Sequence, residues 1–161
     1  MVSGQTKPAG AAARGASFTL NRVRFVGATV FSDAELQALA AAQIGTAVTL
    51  ADLEALALAA TEAFGKVDVA VNCTGWGLMA KLLDTTEEQL DQLAALQFKG
   101  PYFFLQAFVG RMAKSGGGSV INISSASVHA VLNNHAAYIG TKAAGEALVR
   151  CFANEFGAGG V

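Results

Sequence analysis

The sequence is short of most residues that fasten or break a chain. Only two prolines and two cysteines occur in 161 residues. Neither cysteine, Cys73 nor Cys151, sits in a CxxC or metal-ligand spacing. A disulfide scaffold and a thiolate metal site therefore drop out. The pair reads as small apolar side chains, expected to be buried, in a reducing compartment such as the cytoplasm. The two histidines, His129 and His135, form no HExxH pattern, so no metal is expected. Charged residues make up only 14% and the net charge is -1, which offers no basic surface to nucleic acid or to an anionic membrane. No unbroken apolar run is long enough to cross a bilayer. Acidic residues are missing before Asp33, while Lys7, Arg14, Arg22 and Arg24 precede it. That composition resembles a transit peptide, but without an amphipathic period it reads as a loose N-terminal segment.

What is present is apolar and finely alternating. Hydrophobic residues make up 53% of the chain, which suits one packed α/β domain. Residues 1–17 carry Pro8 and many Gly and Ala, and show no strand or helix period. "VRFVGATVF" (23–31) reads as a strand, and "SDAELQALAAAQIG" (32–45) as a helix capped by Ser32 or Asp33 and closed by Gly45. "TAVTL" (46–50) reads as a short buried strand. Helix 51–65 follows, with Leu53, Leu56, Ala57, Ala60 and Phe64 on one face. "VDVAVN" (67–72) is a strand. Thr85 and Glu88 stand in capping-box spacing at the head of a helix over 85–98. A second helix over 101–114 begins with Pro101, which a first turn tolerates. "SGGG" (115–118) is a turn, "SVINIS" (119–124) a buried strand, and 136–156 a final helix. The order is βαβα, which implies a parallel sheet with helices on both faces. Ligands of such sheets sit beyond the carboxyl ends of the strands, so the loops at 32–33, 72–79 and 124–134 draw interest.

The helix after the third loop carries Tyr138 and Lys142, four apart and so on one face. An ammonium beside a phenol favours the phenolate, and a phenol so tuned can trade a proton with an alcohol or carbonyl oxygen. A hydroxyl nearby, such as Ser125, can orient that oxygen. A Tyr-x-x-x-Lys pair alone is also an ordinary pattern of amphipathic helices.

"VDVAVNCTG", "LQFKGPYFFLQ" and "INISSASVHAVLNNHAAYIGTK" together resemble the short-chain dehydrogenase/reductase family, in the family's order and spacing, over residues from about 27 to 161. The resemblance implies a Rossmann-like doubly wound fold and an oxidoreductase that interconverts a secondary alcohol and a ketone with NAD(P)(H). It makes Tyr138 the acid/base and Lys142 the group that tunes it and holds the nicotinamide ribose. Ser125, thirteen before Tyr138, becomes the substrate-orienting serine, with Ser124 a weaker candidate. "NCTG", that is Asn72, Cys73, Thr74 and Gly75, stands where the family has Asn-Asn-Ala-Gly beside the cofactor; Ile123 and Gly15 join that set. Asp33 would accept the adenosine ribose hydroxyls and repel a phosphate there, which favours NAD over NADP. Trp76, Met79, His129, Leu132 and Asn133 are candidate lining residues. The family's dimer helices match 101–114 and 136–156, so a homodimer or homotetramer is expected.

Three departures stand out. Gln97 replaces the family's Asn, which helps hold a proton-relay water. The glycine motif falls on "GAAARGAS" (10–17), where two of its three glycines are Ala11 and Ser17. The chain also ends where the family enters its sixth strand. The expected organisation is a degenerate or disordered segment over 1–17 and a partial dinucleotide-binding domain over 18–161, lacking an intact first strand and the C-terminal strands. The other reading is a catalytically impaired domain that only binds or dimerises.

Overall fold

The computed structural model describes residues 18–19, 47–130 and 132–161. The strand and helix expected over 23–45, and with them Asp33 and Gly15, lie outside the described residues. β1 (Phe18–Thr19) pairs antiparallel with β2 (Ala47–Val48). β2 is shorter than "TAVTL" suggests, because Thr49 turns away to cap the next helix. Its hydroxyl accepts from Asp52 N at 3.4 Å, while the Asp52 carboxylate accepts from Thr49 N at 2.8 Å and from Thr49 Oγ1 at 2.7 Å. This reciprocal box starts α1 (Leu50–Phe64) and satisfies donors that a helix start would otherwise leave open. Gly65 ends α1 at φ 83, donating to Thr61 O at 2.8 Å.

α1 buries Leu53 and Ala57 as its apolar period implies, while Phe64 at its end is exposed. The core they enter contains Val48, Ala70, Ala107, Phe108 and Met112. Each such fully buried large side chain contributes about 1.5–3 kcal/mol.

The two helices expected over 85–98 and 101–114 are one rod. α2 (Glu87–Ala94) runs through a π-turn (Ala95–Lys99) into α3 (Gly100–Met112). Its capping box is Thr86 with Gln89, not Thr85 with Glu88. Thr86 N donates to Gln89 Oε1 at 3.1 Å, and Gln89 N to Thr86 Oγ1 at 3.2 Å. Thr85 instead donates its hydroxyl to Lys81 O at 3.0 Å. Pro101 has no N–H to give Gln97 O in an α-helical pattern, and the wide turn falls at that point. An ideal Cβ on Gly145 would stand 3.4 Å from Gln97 O, so the glycine lets the last helix lie close against the turn.

β3 (Val69–Asn72) and β4 (Ser119–Asn122) form a parallel pair with Val69 opposite Ser119 and Asn72 opposite Asn122. Side chains alternate: Ala70 and Asn72 are buried, while Val69 and Val71 are exposed. β4 is likewise only half covered, with Ile121 exposed, so it is not the buried strand its composition suggests. Among the described residues α3 and α4 (Ala136–Phe156) pack on this pair. The "SGGG" turn uses positive φ at Gly116 and Gly117, both 93, and Gly118 N donates to Gly160 O at 3.0 Å. α4 keeps the bounds its sequence implies.

Both cysteines are exposed rather than buried. Cys73 follows the buried Asn72 and so faces the other way, and Cys151 lies on the outer side of α4.

Candidate active site

The carboxyl ends of β3 and β4 are tied together by side chains. Asn72 Nδ2 donates to Asn122 Oδ1 at 2.8 Å, and Asn72 Oδ1 accepts from Thr74 N at 3.1 Å and Thr74 Oγ1 at 2.8 Å. Asn72 is 4% exposed and its amide is used on both sides. Sequence reading missed Asn122, although "VAVN" and "SVIN" end in the same residue at paired positions.

Lys142 reaches from α4 into the same place. It is 7% exposed, and Nζ donates to Ile123 O at 2.9 Å and Thr74 O at 3.2 Å. One ammonium therefore bridges the loops that leave the two strands. An ammonium has three donors, so one remains for another group. Gly75 is where a larger residue would interfere, since an ideal Cβ there would lie 2.9 Å from Nζ. Four of the residues expected around the cofactor, Asn72, Thr74, Gly75 and Ile123, thus meet at Lys142 directly or through one neighbour. Cys73 is exposed beside them.

Gln97 departs from expectation. It is 1% exposed, and both ends of its amide bind protein groups. Nε2 donates to Trp76 O at 2.6 Å, and Oε1 accepts from Thr141 Oγ1 at 2.7 Å. The longer side chain spans from the loop after β3 to α4, where the expected role was to hold a relay water. Thr141 was not singled out from sequence.

A cleft of about 440 Å³ opens beside these groups, lined by residues including Met79, Ser125, Ser127, Leu132, His135 and Tyr138. Trp76, His129 and Asn133 do not line it. His129 instead stands 3.8 Å from Glu146, which also accepts the Ser124 hydroxyl at 2.6 Å. Of the two neighbouring serines, Ser125 is the one on the cleft. Its Oγ accepts from Ser127 N at 3.3 Å and lies 2.8 Å from Ser127 Oγ. When Ser127 donates in that contact, both acceptor positions of Ser125 are filled and its one proton is free to point outward. Ser127, two residues on in "SAS", went unnoticed in the sequence because a second serine near a turn is ordinary.

A family model described as enoyl-(acyl carrier protein) reductase matches residues 11–161. D-threitol dehydrogenase of Mycolicibacterium smegmatis is 30% identical over 111 residues, covering 69% of this chain and 43% of that protein. A short-chain dehydrogenase from Streptomyces avermitilis is 30% identical with TM-score 0.64, covering 79% of this chain and 48% of that one. An alcohol dehydrogenase from the archaeon Thermococcus sibiricus, complexed with 5-hydroxy-NADP, is 28% identical with TM-score 0.61, covering 66% and 45%. The chain belongs to the short-chain dehydrogenase/reductase family and has its Rossmann-like fold. It spans less than half the length of these relatives.

Proposed function

We propose that the chain carries the acid/base half of an NAD(P)(H)-dependent oxidoreductase that interconverts a secondary alcohol and a ketone. One observation carries this reading: Tyr138 and Ser125 share one cleft, and Lys142 stands one turn along the same helix at the ends of both parallel strands. The names of relatives, threitol and alcohol dehydrogenases, support chemistry at a CH–OH group.

The donor set fits a dinucleotide at its nicotinamide end. The remaining donor of Lys142 and the Tyr138 hydroxyl suit ribose hydroxyls, and Gly75 keeps the space around Nζ open. Asn72, Cys73, Thr74 and Ile123 flank that end. Asp33 would take the adenosine ribose, which favours NAD, and Gly15 would lie near the pyrophosphate. The nicotinamide, when bound, supplies or accepts the hydride. Ser125 donates a hydrogen bond to the substrate oxygen, and Tyr138 takes that oxygen's proton in oxidation and returns it in reduction. Gln97 acts by fixing the loop and helix on either side.

The reading includes a homodimer or homotetramer formed through α3 and α4, and a cytoplasmic location suited to two free cysteines. No helix among the described residues is long and apolar enough to cross a membrane. A second reading, a binding or dimerising domain without turnover, has Ala11 and Ser17 in its favour, since side chains there would crowd a pyrophosphate.

The test is NADH binding followed by energy transfer from Trp76, the only tryptophan, with NADPH and Asp33→Ala as comparisons. Saturable NADH binding weakened by Asp33→Ala, with alcohol oxidation abolished in Tyr138→Phe, is expected. A folded chain that binds neither dinucleotide refutes the oxidoreductase reading and favours the second.

A further inference from the structure

The cleft wall beside Tyr138 holds a hydrogen-bond acceptor that the proton transfer does not use. A backbone carbonyl can only accept, so the 2.7 Å contact between His135 Nδ1 and Asn133 O makes Nδ1 the protonated nitrogen. In the neutral ring Nε2 is then an acceptor, and it has no partner among the described residues. The ring lines the cleft. It sits at the N-cap of α4, three residues before Tyr138, and the two rings meet edge to face with centroids 6.4 Å apart. One small molecule spans that separation.

The mount of this ring is braced. Asn134, at φ 62, makes the tight turn into α4, and its carbonyl accepts from Ala80 N at 2.8 Å, which ties the turn to the loop after β3. The other polar side chains of the cleft have their own work in that reading: Ser127 bonds Ser125, and the proton left on Ser125 serves the reacting oxygen together with Tyr138. The side chains of Met79 and Leu132, also on the cleft, are apolar. A fixed, unpartnered acceptor calls for a donor on the ligand. A simple alcohol has one hydroxyl, and Tyr138 and Ser125 occupy it.

We infer that His135 Nε2 accepts a hydrogen bond from a second hydroxyl on the carbon next to the reacting one, so that the cleft selects vicinal diols and polyols over simple alcohols. This rests on the oxidoreductase reading above and assigns the substrate class of the same cleft.

The experiment compares propylene glycol with isopropanol, which differ by one hydroxyl, in mildly alkaline buffer with NAD and with NADP. kcat/KM is measured for the parent chain, His135→Ala and His135→Gln, and affinity for both alcohols is followed by Trp76 fluorescence. The parent is expected to prefer the diol by about tenfold or more, the scale set by leaving a built acceptor unpaired. His135→Ala narrows that ratio toward one, chiefly through KM, and His135→Gln, which keeps an acceptor, restores part of it. A parent with no diol preference, or a preference that survives His135→Ala, overturns the assignment while leaving the oxidoreductase reading standing. Absence of turnover with a diol-selective affinity that His135→Ala abolishes refutes the oxidoreductase reading and supports the role of His135. Absence of both refutes both.

Discussion

Replacing Gln97 by leucine keeps most of the volume and removes the amide. Two hydrogen bonds go, to Trp76 O and from Thr141 Oγ1. Each contributes about 0.5–1.5 kcal/mol net, so the pair is worth about 1–3 kcal/mol. The groups left behind decide where in that range the cost falls. Thr141 Oγ1 still has Ala137 O at 2.9 Å, so its hydroxyl stays satisfied. Trp76 O loses its partner, but it belongs to an exposed loop residue that water can reach. The expected destabilisation is therefore about 1–2 kcal/mol. Urea unfolding followed by Trp76 fluorescence measures it, because the reporter sits on the acceptor residue. Thr141→Val removes the same bond from the other side, and the double variant should show a coupling of about 0.5–1.5 kcal/mol. A neutral or stabilising Gln97→Leu, or strict additivity with Thr141→Val, would refute the idea that this side chain ties the loop to α4. A loss above about 4 kcal/mol would mean that water does not reach the Trp76 carbonyl.

Gly75→Ala crowds the end of Lys142, and as Nζ is pushed from Thr74 O and Ile123 O the melting temperature should fall by several degrees; if the site works as proposed, alcohol oxidation should also fall about tenfold or more. Gly117→Ala should destabilise by about 2 kcal/mol or more, since φ is 93 and the new Cβ would lie 2.5 Å from Gly160 O; denaturation in urea checks it. Thr49→Ala should cost about 1 kcal/mol at neutral pH by removing a helix cap. The backbone and side-chain hydrogen bonds from Thr49 hold the Asp52 carboxyl below its ordinary value of 3.8, against a smaller opposing effect of burial. A carboxyl lowered by folding adds stability that is full above the unfolded value and fades as pH falls through the folded one. The stability gap between the parent and Asp52→Asn should therefore be constant near neutrality and shrink below pH 3.8; a gap that persists unchanged in strong acid would contradict it.

Much of this was legible because local chemistry and tertiary structure agree. α4 kept its bounds because its ends are marked, by "LNNH" before it and "GAG" after it. The meeting of Ser125 and Tyr138 at one cleft followed from strand, loop and helix order. Misreadings came where neighbours compete. Thr85 and Thr86 are adjacent hydroxyls with Glu88 and Gln89 three residues on, and the register one residue later won, leaving Thr85 bound to Lys81 O. Pro101 does stand in the first turn of α3, but a π-turn joins that helix to α2 with no break between them. The expectation for Gln97 rests on the family's Asn at that place, whereas its reach is set by Trp76 and Thr141, both distant in sequence. Burial of Cys73 and Cys151 was inferred from residue type, and strand alternation and helix facing overruled it.

Lys142 joins an architectural role to the chemistry proposed for it. Its ammonium pins the loops leaving β3 and β4, whatever else it does. Selection for a folded domain would then preserve this lysine in a descendant that had given up turnover altogether. In sequences of this kind the lysine is a record of the sheet ends it clamps, and the proposed activity is better traced through Tyr138, whose hydroxyl makes no such clamp among the described residues.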